Sequence, residues 1–168
     1  KIINIFLILF GTLLLTISAK IQVPFWPVPM TMQTFVVFLI GSTYGVRLSF
    51  ITLIAYLIEG AIGLPVFAAG GGIVYLTGPT AGYLYGMTIA AAAISYFANM
   101  GYSTSYIKSF ISIIIGSIII FACGVLYLGS IIGYTKAIQA GLLPFIPSEI
   151  FKIALAVLLI PTLHKIIK

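Results

Sequence analysis

The chain has 168 residues, 62% hydrophobic and 6% charged, with a mean hydropathy of +1.28. A water-soluble domain of this length cannot hide so much apolar surface, so composition points to an integral membrane protein, read as one transmembrane domain over residues 1–168. Continuous runs such as Ile111–Ile120 lack the alternation of a membrane β-barrel, and the formal charge of +6 comes from scattered bases, which excludes a nucleic-acid-binding patch.

The first apolar run, Ile2 to Ala19, lies between Lys1 and Lys20. It could mimic a signal peptide, but it is long enough to approach the ~30 Å hydrocarbon core and further spans follow. It is read as the first helix. Gln22–Met30 (QVPFWPVPM) carries Pro24, Pro27 and Pro29, a density no helix survives. The segment is expected to be extended, with Phe25 and Trp26 serving either as an interfacial anchor or as a lid over a ligand. Thr31 is the expected N-cap of span two, which runs to about Thr43. A tight turn at Tyr44-Gly45-Val46 leads into span three, Leu48 to Ile62. Span four covers Ala81 to Ala98, and Asn99–Ser105 is a loop. Span five covers Ile107 to Ser130, where Gly116, Gly124 and Gly129 suggest close helix packing. Tyr134–Leu143 reads as a loop bearing Lys136. Span six covers Ser148 to Leu163, ahead of a basic tail. The expected architecture is therefore all-α, with six transmembrane helices and irregular Pro/Gly-rich loops.

The stretch Gly63–Tyr83 (GLPVFAAGGGIVYLTGPTAGY) fits no plain membrane helix. Gly70, Gly71 and Gly72 permit unusual backbone and close approach, while Pro65 and Pro79 interrupt helical hydrogen bonding. A simple turn would need only a few residues. Irregular backbone at membrane depth is tolerated where it is buried in protein or lines a cavity, so this stretch is read as the wall of a ligand pocket.

Six spans put both termini on one side, together with Lys1, Arg47, Lys108, Lys165 and Lys168 and no acid. The other side carries Lys20, Lys136 and Lys152 with both acids. Basic excess marks the cytoplasm, so both termini are expected there. The Pro-rich segment, the Gly-rich stretch and the head of span six then gather at the outer face, the arrangement of a binding site.

Glu149 and Lys152 stand three residues apart at the head of span six, on one helical face. Ionisable groups in spans are expensive and usually functional, and a carboxylate with an ammonium suits a small polar ligand bearing both donors and acceptors. The alternative is an intrahelical pair snorkelling to the interface. Glu59 is read as an interfacial residue near Lys20, and Arg47 and Lys108 as topology determinants. His164 is read as an interfacial side chain and Cys123 as a small buried hydrophobe. There is no Gly-Lys pair for a phosphate-binding loop and no HExxH or CxxC motif. The lone terminal His offers no Ser/His dyad. Neither a resident cofactor nor a metal is expected. An intramembrane enzyme using Glu149 and Lys152 as acid and base, or a purely structural subunit, remain competing readings.

Four ordered motifs carry a resemblance: Ile21–Thr34 (IQVPFWPVPMTMQT), Tyr56–Gly60 (YLIEG) running into Gly63–Ala68 (GLPVFA), Gly78–Tyr83 (GPTAGY), and Pro144–Lys152 (PFIPSEIFK). Together they resemble the BioY family, the biotin-capturing membrane subunits of energy-coupling-factor importers. The resemblance implies a six-helix subunit of the bacterial cytoplasmic membrane with an outward-facing biotin pocket. It also implies work with a membrane coupling subunit and two ATP-binding subunits. The family's acid-x-x-Lys pair maps onto Glu149 and Lys152, with Glu in place of the usual Asp. The substrate-binding set expected on this basis is Glu149, Lys152, Phe67, Gly70, Gly71, Tyr75, Thr80, Tyr83, Trp26 and Gln33. The small-xxx-small pattern of helix one, used by such subunits to meet the coupling subunit, is partly represented by Thr12 and Thr16.

Overall fold

The structure, a computed structural model, describes residues 1–23 and 30–167, the last by its backbone alone. The helices are α1 (Ile2–Lys20), α2 (Gln33–Tyr44), α3 (Val46–Ala61), α4 (Ala81–Asn99), α5 (Tyr106–Ile132), α6 (Tyr134–Gly141) and α7 (Ile146–Ile167). Two short strands, β1 (Gln22–Val23) and β2 (Met30–Thr31), pair antiparallel in the register Gln22 to Thr31 and Val23 to Met30. Single 3₁₀ turns cover Ile73–Thr77 and Leu143–Phe145.

Among the described residues, four apolar helical segments are long enough to cross a membrane: Ile2–Lys20, Ala81–Asn99, Tyr106–Ile132 and Tyr134–Ile166. The α2 helix, with 12 residues, rises only about 18 Å at 1.5 Å per residue. The lipid side is legible in exposure. Phe6 and Phe10 of α1, Ile107 and Ile118 of α5, and Leu158 of α7 all point outward, as expected where the solvent is hydrocarbon.

The centre of the bundle is the α4–α5 contact, built on glycine. A Cβ on Gly82 would lie 2.5 Å from the Cys123 carbonyl oxygen, and one on Gly86 would lie 2.9 Å from Ile120 Cα. On the facing helix, Gly116 receives the Ile94 side chain and Gly124 receives the Tyr83 ring. These contacts let two backbones approach closely, which replaces the hydrophobic drive that is missing between helices in lipid. Several polar side chains inside the bundle are satisfied locally. The Ser49 and Ser95 hydroxyls meet at 2.9 Å, and Ser95 donates to the Gly41 carbonyl.

Three sequence expectations change. Tyr134–Leu143 is not a loop: Tyr134–Gly141 is α6, with Ala137 and Gly141 buried against the bundle. Gly133 sits at φ 94 between α5 and α6, so the chain breaks direction at one glycine and resumes as helix. The N-cap of α2 is Met32, although the Thr31 hydroxyl still accepts from the Gln33 backbone N–H at 3.2 Å. Span six starts two residues earlier than expected and continues through Pro161. The α4–α5 packing predicts that Gly124→Leu, which drives a side chain into the Tyr83 ring, destabilises the bundle by about 1–3 kcal/mol. Thermal unfolding in detergent reads this as a lowered midpoint.

Candidate functional site

The Gly-rich stretch folds over the end of the bundle near the start of α7. Its shape is set first by glycine: a Cβ on Gly71 would lie 2.0 Å from the Leu64 carbonyl oxygen, and Gly70, at φ 137, closes a bridge to Phe67. The backbone of residues 66–69 is then satisfied by side chains. Tyr56 donates its hydroxyl to the Val66 carbonyl at 2.8 Å, and Lys20 Nζ reaches the Phe67 carbonyl at 2.6 Å. Gln22 Nε2 donates to the Ala68 carbonyl at 2.6 Å, and the Ala69 N–H donates to the Tyr75 hydroxyl at 3.1 Å. The Phe67 ring is thereby held over Gly60, edge-on to Tyr56 and 4.8 Å from the tilted Tyr75 ring.

Beneath this loop lies a cup of two adjoining lobes that share Thr31, Tyr83 and Met87. One lobe is walled by Phe67, Tyr75, Leu84 and Ala68, with Gln33 and Thr80 as its polar groups. The other is walled by Phe121, Phe145, Ile120 and Met30, with Thr34 and Lys152 as its polar groups. Apolar walls with a few convergent polar groups are the usual form of a small-molecule site.

Lys152 is 4% exposed and Glu149 5%. Lys152 Nζ lies 3.1 Å from Glu149 Oε1 and donates to the Thr31 carbonyl at 2.8 Å. An ammonium has three donors, so one N–H is left for the lobe that Lys152 lines. Glu149 is saturated differently. Its Oε1 also accepts from Thr34 at 3.1 Å, and its Oε2 accepts from Ser117 at 3.0 Å. Gln33 Nε2 donates to the Tyr56 hydroxyl at 2.6 Å and to the Leu15 carbonyl at 3.3 Å. Its amide oxygen has no partner among the described residues. Nor does the Thr80 hydroxyl, beside Gln33 in the same lobe.

The expected site residues thus divide by position. Phe67, Tyr75, Thr80, Tyr83, Gln33 and Lys152 meet around the cup. Glu149 stands behind Lys152 and lines the space between α5 and α7 instead. Gly70 and Gly71 shape the loop and line neither lobe. Trp26 lies outside the described residues. Thr12 corrects the expected partner face: it is 4% exposed, its hydroxyl returns to the Leu9 carbonyl, and it faces the bundle. Thr16 is half-buried and donates to the Thr12 carbonyl. Glu59 is half-buried and has no ion pair among the described residues, because Lys20 turns to the loop carbonyl. Sequence reasoning missed Thr34, Ser117 and Met87. Hydroxyls and thioethers in apolar runs carry no pattern, and only the fold shows which of them face the ion pair.

A helical membrane bundle closing a polar-tipped apolar cup at one end is a solute-binding membrane subunit. The comparisons give it a family. The chain belongs to the BioY family, which it matches over residues 1–168, a family of transporter substrate-binding components and not of enzymes. It is 38% identical over 148 residues to a probable biotin transporter BioY of Pyrococcus horikoshii, covering 87% of this chain and 86% of that one. It is 36% identical over 157 residues to the biotin transporter BioY of Thermotoga maritima, covering 92% of each. It is also similar to the crystal structure of the S-component for biotin from an ECF-type ABC transporter, with a TM-score of 0.86 at 26% identity, over 98% of this chain and 92% of that one.

The loop geometry yields a stability prediction. Tyr56→Phe removes the hydroxyl that both Gln33 and the Val66 carbonyl use, and losing buried partners costs about 1–3 kcal/mol each. Denaturation in detergent should show a loss of at least the lower figure; an unchanged midpoint would mean that the network contributes nothing.

Proposed function

We propose that the chain captures biotin as the substrate-specific subunit of an energy-coupling-factor importer. The observation that carries this is the Lys152 ammonium, locked by Glu149 and the Thr31 carbonyl yet lining an apolar cup. Biotin has an apolar bicyclic ring, a ureido group with two donors and one acceptor, and a carboxylate tail. Each need has a counterpart. The remaining Lys152 N–H donates to the ureido oxygen or the tail carboxylate. The Gln33 amide oxygen and the Thr80 hydroxyl accept from N–H groups in the other lobe. Phe67, Tyr75 and Tyr83 cover the ring. Glu149 acts mainly through Lys152, holding its charge and direction, and Gly70 and Gly71 act by shaping the wall.

In the same reading the chain crosses the cytoplasmic membrane six times, as α1 to α5 and α7. The cup opens outward and both termini are cytoplasmic, which places the acid-free basic end inside. A membrane coupling subunit and two ATP-binding subunits supply the energy. Thr16, at the edge of the exposed face of α1, is the member of the Thr12–Thr16 pair that a coupling subunit can reach. Bound lipid surrounds the bundle, and no resident cofactor takes part.

Calorimetry with purified protein and biotin tests the site. Lys152→Ala should weaken binding at least about tenfold. Glu149→Gln should weaken it by about the same factor, because it leaves the Lys152 charge buried without its counter-ion. Unchanged affinity in Lys152→Ala would remove the assignment. A biotin ester then separates the two roles open to Lys152: a sharp loss against wild type that disappears in Lys152→Ala places the lysine on the tail, and an equal loss in both places it on the ureido oxygen.

A further inference from the structure

Thr34, in the first turn of α2, is buried and lines the same lobe of the cup as Lys152. Its hydroxyl and the Lys152 ammonium both meet Glu149 Oε1, each at 3.1 Å, so the two groups stand side by side. A hydroxyl has one proton and two lone pairs, and an ionised carboxylate only accepts. The Thr34 proton is therefore committed to Glu149, and toward any further partner Thr34 is an acceptor. Lys152 is its opposite. An ammonium has no lone pair, and the N–H left after Glu149 and the Thr31 carbonyl can only donate. The lobe thus presents one fixed acceptor beside one fixed donor, both held by the same carboxylate oxygen.

On the reading that biotin is the ligand, this arrangement discriminates between its two polar ends. A ureido edge carries a carbonyl oxygen next to an N–H, the complement of Lys152 beside Thr34. A carboxylate carries acceptors only: one oxygen can take the Lys152 N–H, but the other then meets the lone pairs of Thr34. Charge points the same way. The Lys152 ammonium is already balanced by Glu149, both are buried, and the rest of the described lining of this lobe is uncharged. A tail carboxylate would add an unbalanced charge to a buried site, which is costly, whereas the ureido group is neutral. Thr31, on the border of both lobes, has a hydroxyl that can donate and accept, so it favours neither end. We propose that Thr34 is a specificity-determining residue. Its hydroxyl accepts one ureido N–H while Lys152 donates to the ureido oxygen, so the ring head enters the lobe of the ion pair and the carboxylate tail points away from it.

Calorimetry on the full chain in detergent, with biotin, biotin methyl ester and the two biotin isomers methylated at one ureido nitrogen, tests this. Thr34→Val keeps the shape of the side chain and removes the acceptor. It should weaken biotin at least about fivefold and the methyl ester by the same factor, and Thr34→Ser should restore the wild-type affinity. At least one N-methyl isomer should bind the wild type more weakly than biotin, and its deficit should shrink in Thr34→Val. Thr34→Ala gives the same reading if Thr34→Val unfolds. A residue that merely holds Glu149 in place would weaken all four ligands alike and leave the N-methyl deficits intact; that result would overturn the proposal. So would unchanged biotin affinity in Thr34→Val, N-methyl isomers that match biotin on the wild type, or an ester-to-acid ratio that changes in Thr34→Val and so puts the tail beside Thr34. Each of these overturns the assignment of Thr34 alone, whereas a wild-type protein that binds no biotin overturns the biotin reading and this assignment with it.

Discussion

Burying a carboxylate and an ammonium inside a membrane bundle is the constraint around which this structure is arranged. The penalty is several kcal/mol per ion in protein interiors, and lipid offers no water to relieve it. Glu149 meets this with three donors from three helices: Thr34 of α2, Ser117 of α5 and Lys152 of α7 itself. Lys152 meets it with the carboxylate and a strand carbonyl. The pair therefore does more than neutralise itself. It ties the first turn of α7 to the middle of α5, the start of α2 and the β2 strand, and it leaves one donor unused where the cup begins. Its local i,i+3 contact, worth little on an open helix, is valuable here because each ion would be far more costly alone.

The same logic extends to the Gly-rich loop. Non-helical backbone at the end of a membrane bundle must find partners for its carbonyls and N–H groups. Four consecutive residues, Val66 to Ala69, do so through Tyr56, Lys20, Gln22 and Tyr75. Gln22 belongs to β1, which pairs with Thr31 of β2, and the Thr31 carbonyl holds Lys152. Loop, ribbon and ion pair thus form one connected polar framework around an apolar cavity. The wall of the cup is positioned by hydrogen bonds, while its surface is furnished by rings.

Much of this was legible before the fold was known, and the reasons are physical. Helices in lipid need long uncharged runs, so α1, α4, α5 and α7 announce themselves. Prolines and glycines in otherwise apolar sequence announce the places where the helix stops, so the irregular stretch between α3 and α4 could be read directly. Two acids in the whole chain made Glu149 conspicuous. What was not legible concerns direction. The partners of Glu149, which are Thr34, Ser117 and Lys152, and the inward turn of Thr12 carry no mark in the sequence. Rotation of a helix about its axis is decided by packing, and in α1 apolar residues occur on every side, so the pattern that reveals an amphipathic helix in water is missing. The α6 helix escaped for a related reason. Its short polar sequence after Gly133 resembles a loop, and only the burial of Ala137 and Gly141 makes it an element.

Tyr83 shows how the packing of the bundle and the shape of the cup become a single problem. Its ring presses on Gly124 of α5, its hydroxyl donates to the Gly141 carbonyl of α6, and its edge meets the Phe121 ring. The residue lines both lobes, so the boundary between them is fixed by a side chain held at three points. A larger residue at position 124 or 141 would push that ring into the cavity without touching a ligand group. The small residues of α5 and α6 therefore act at a distance on the cup, through close packing that cannot relax in one place without moving in another. Because Tyr83 lines both lobes, the glycine-lined seat of this ring, together with the ion pair, sets the shape of the cup.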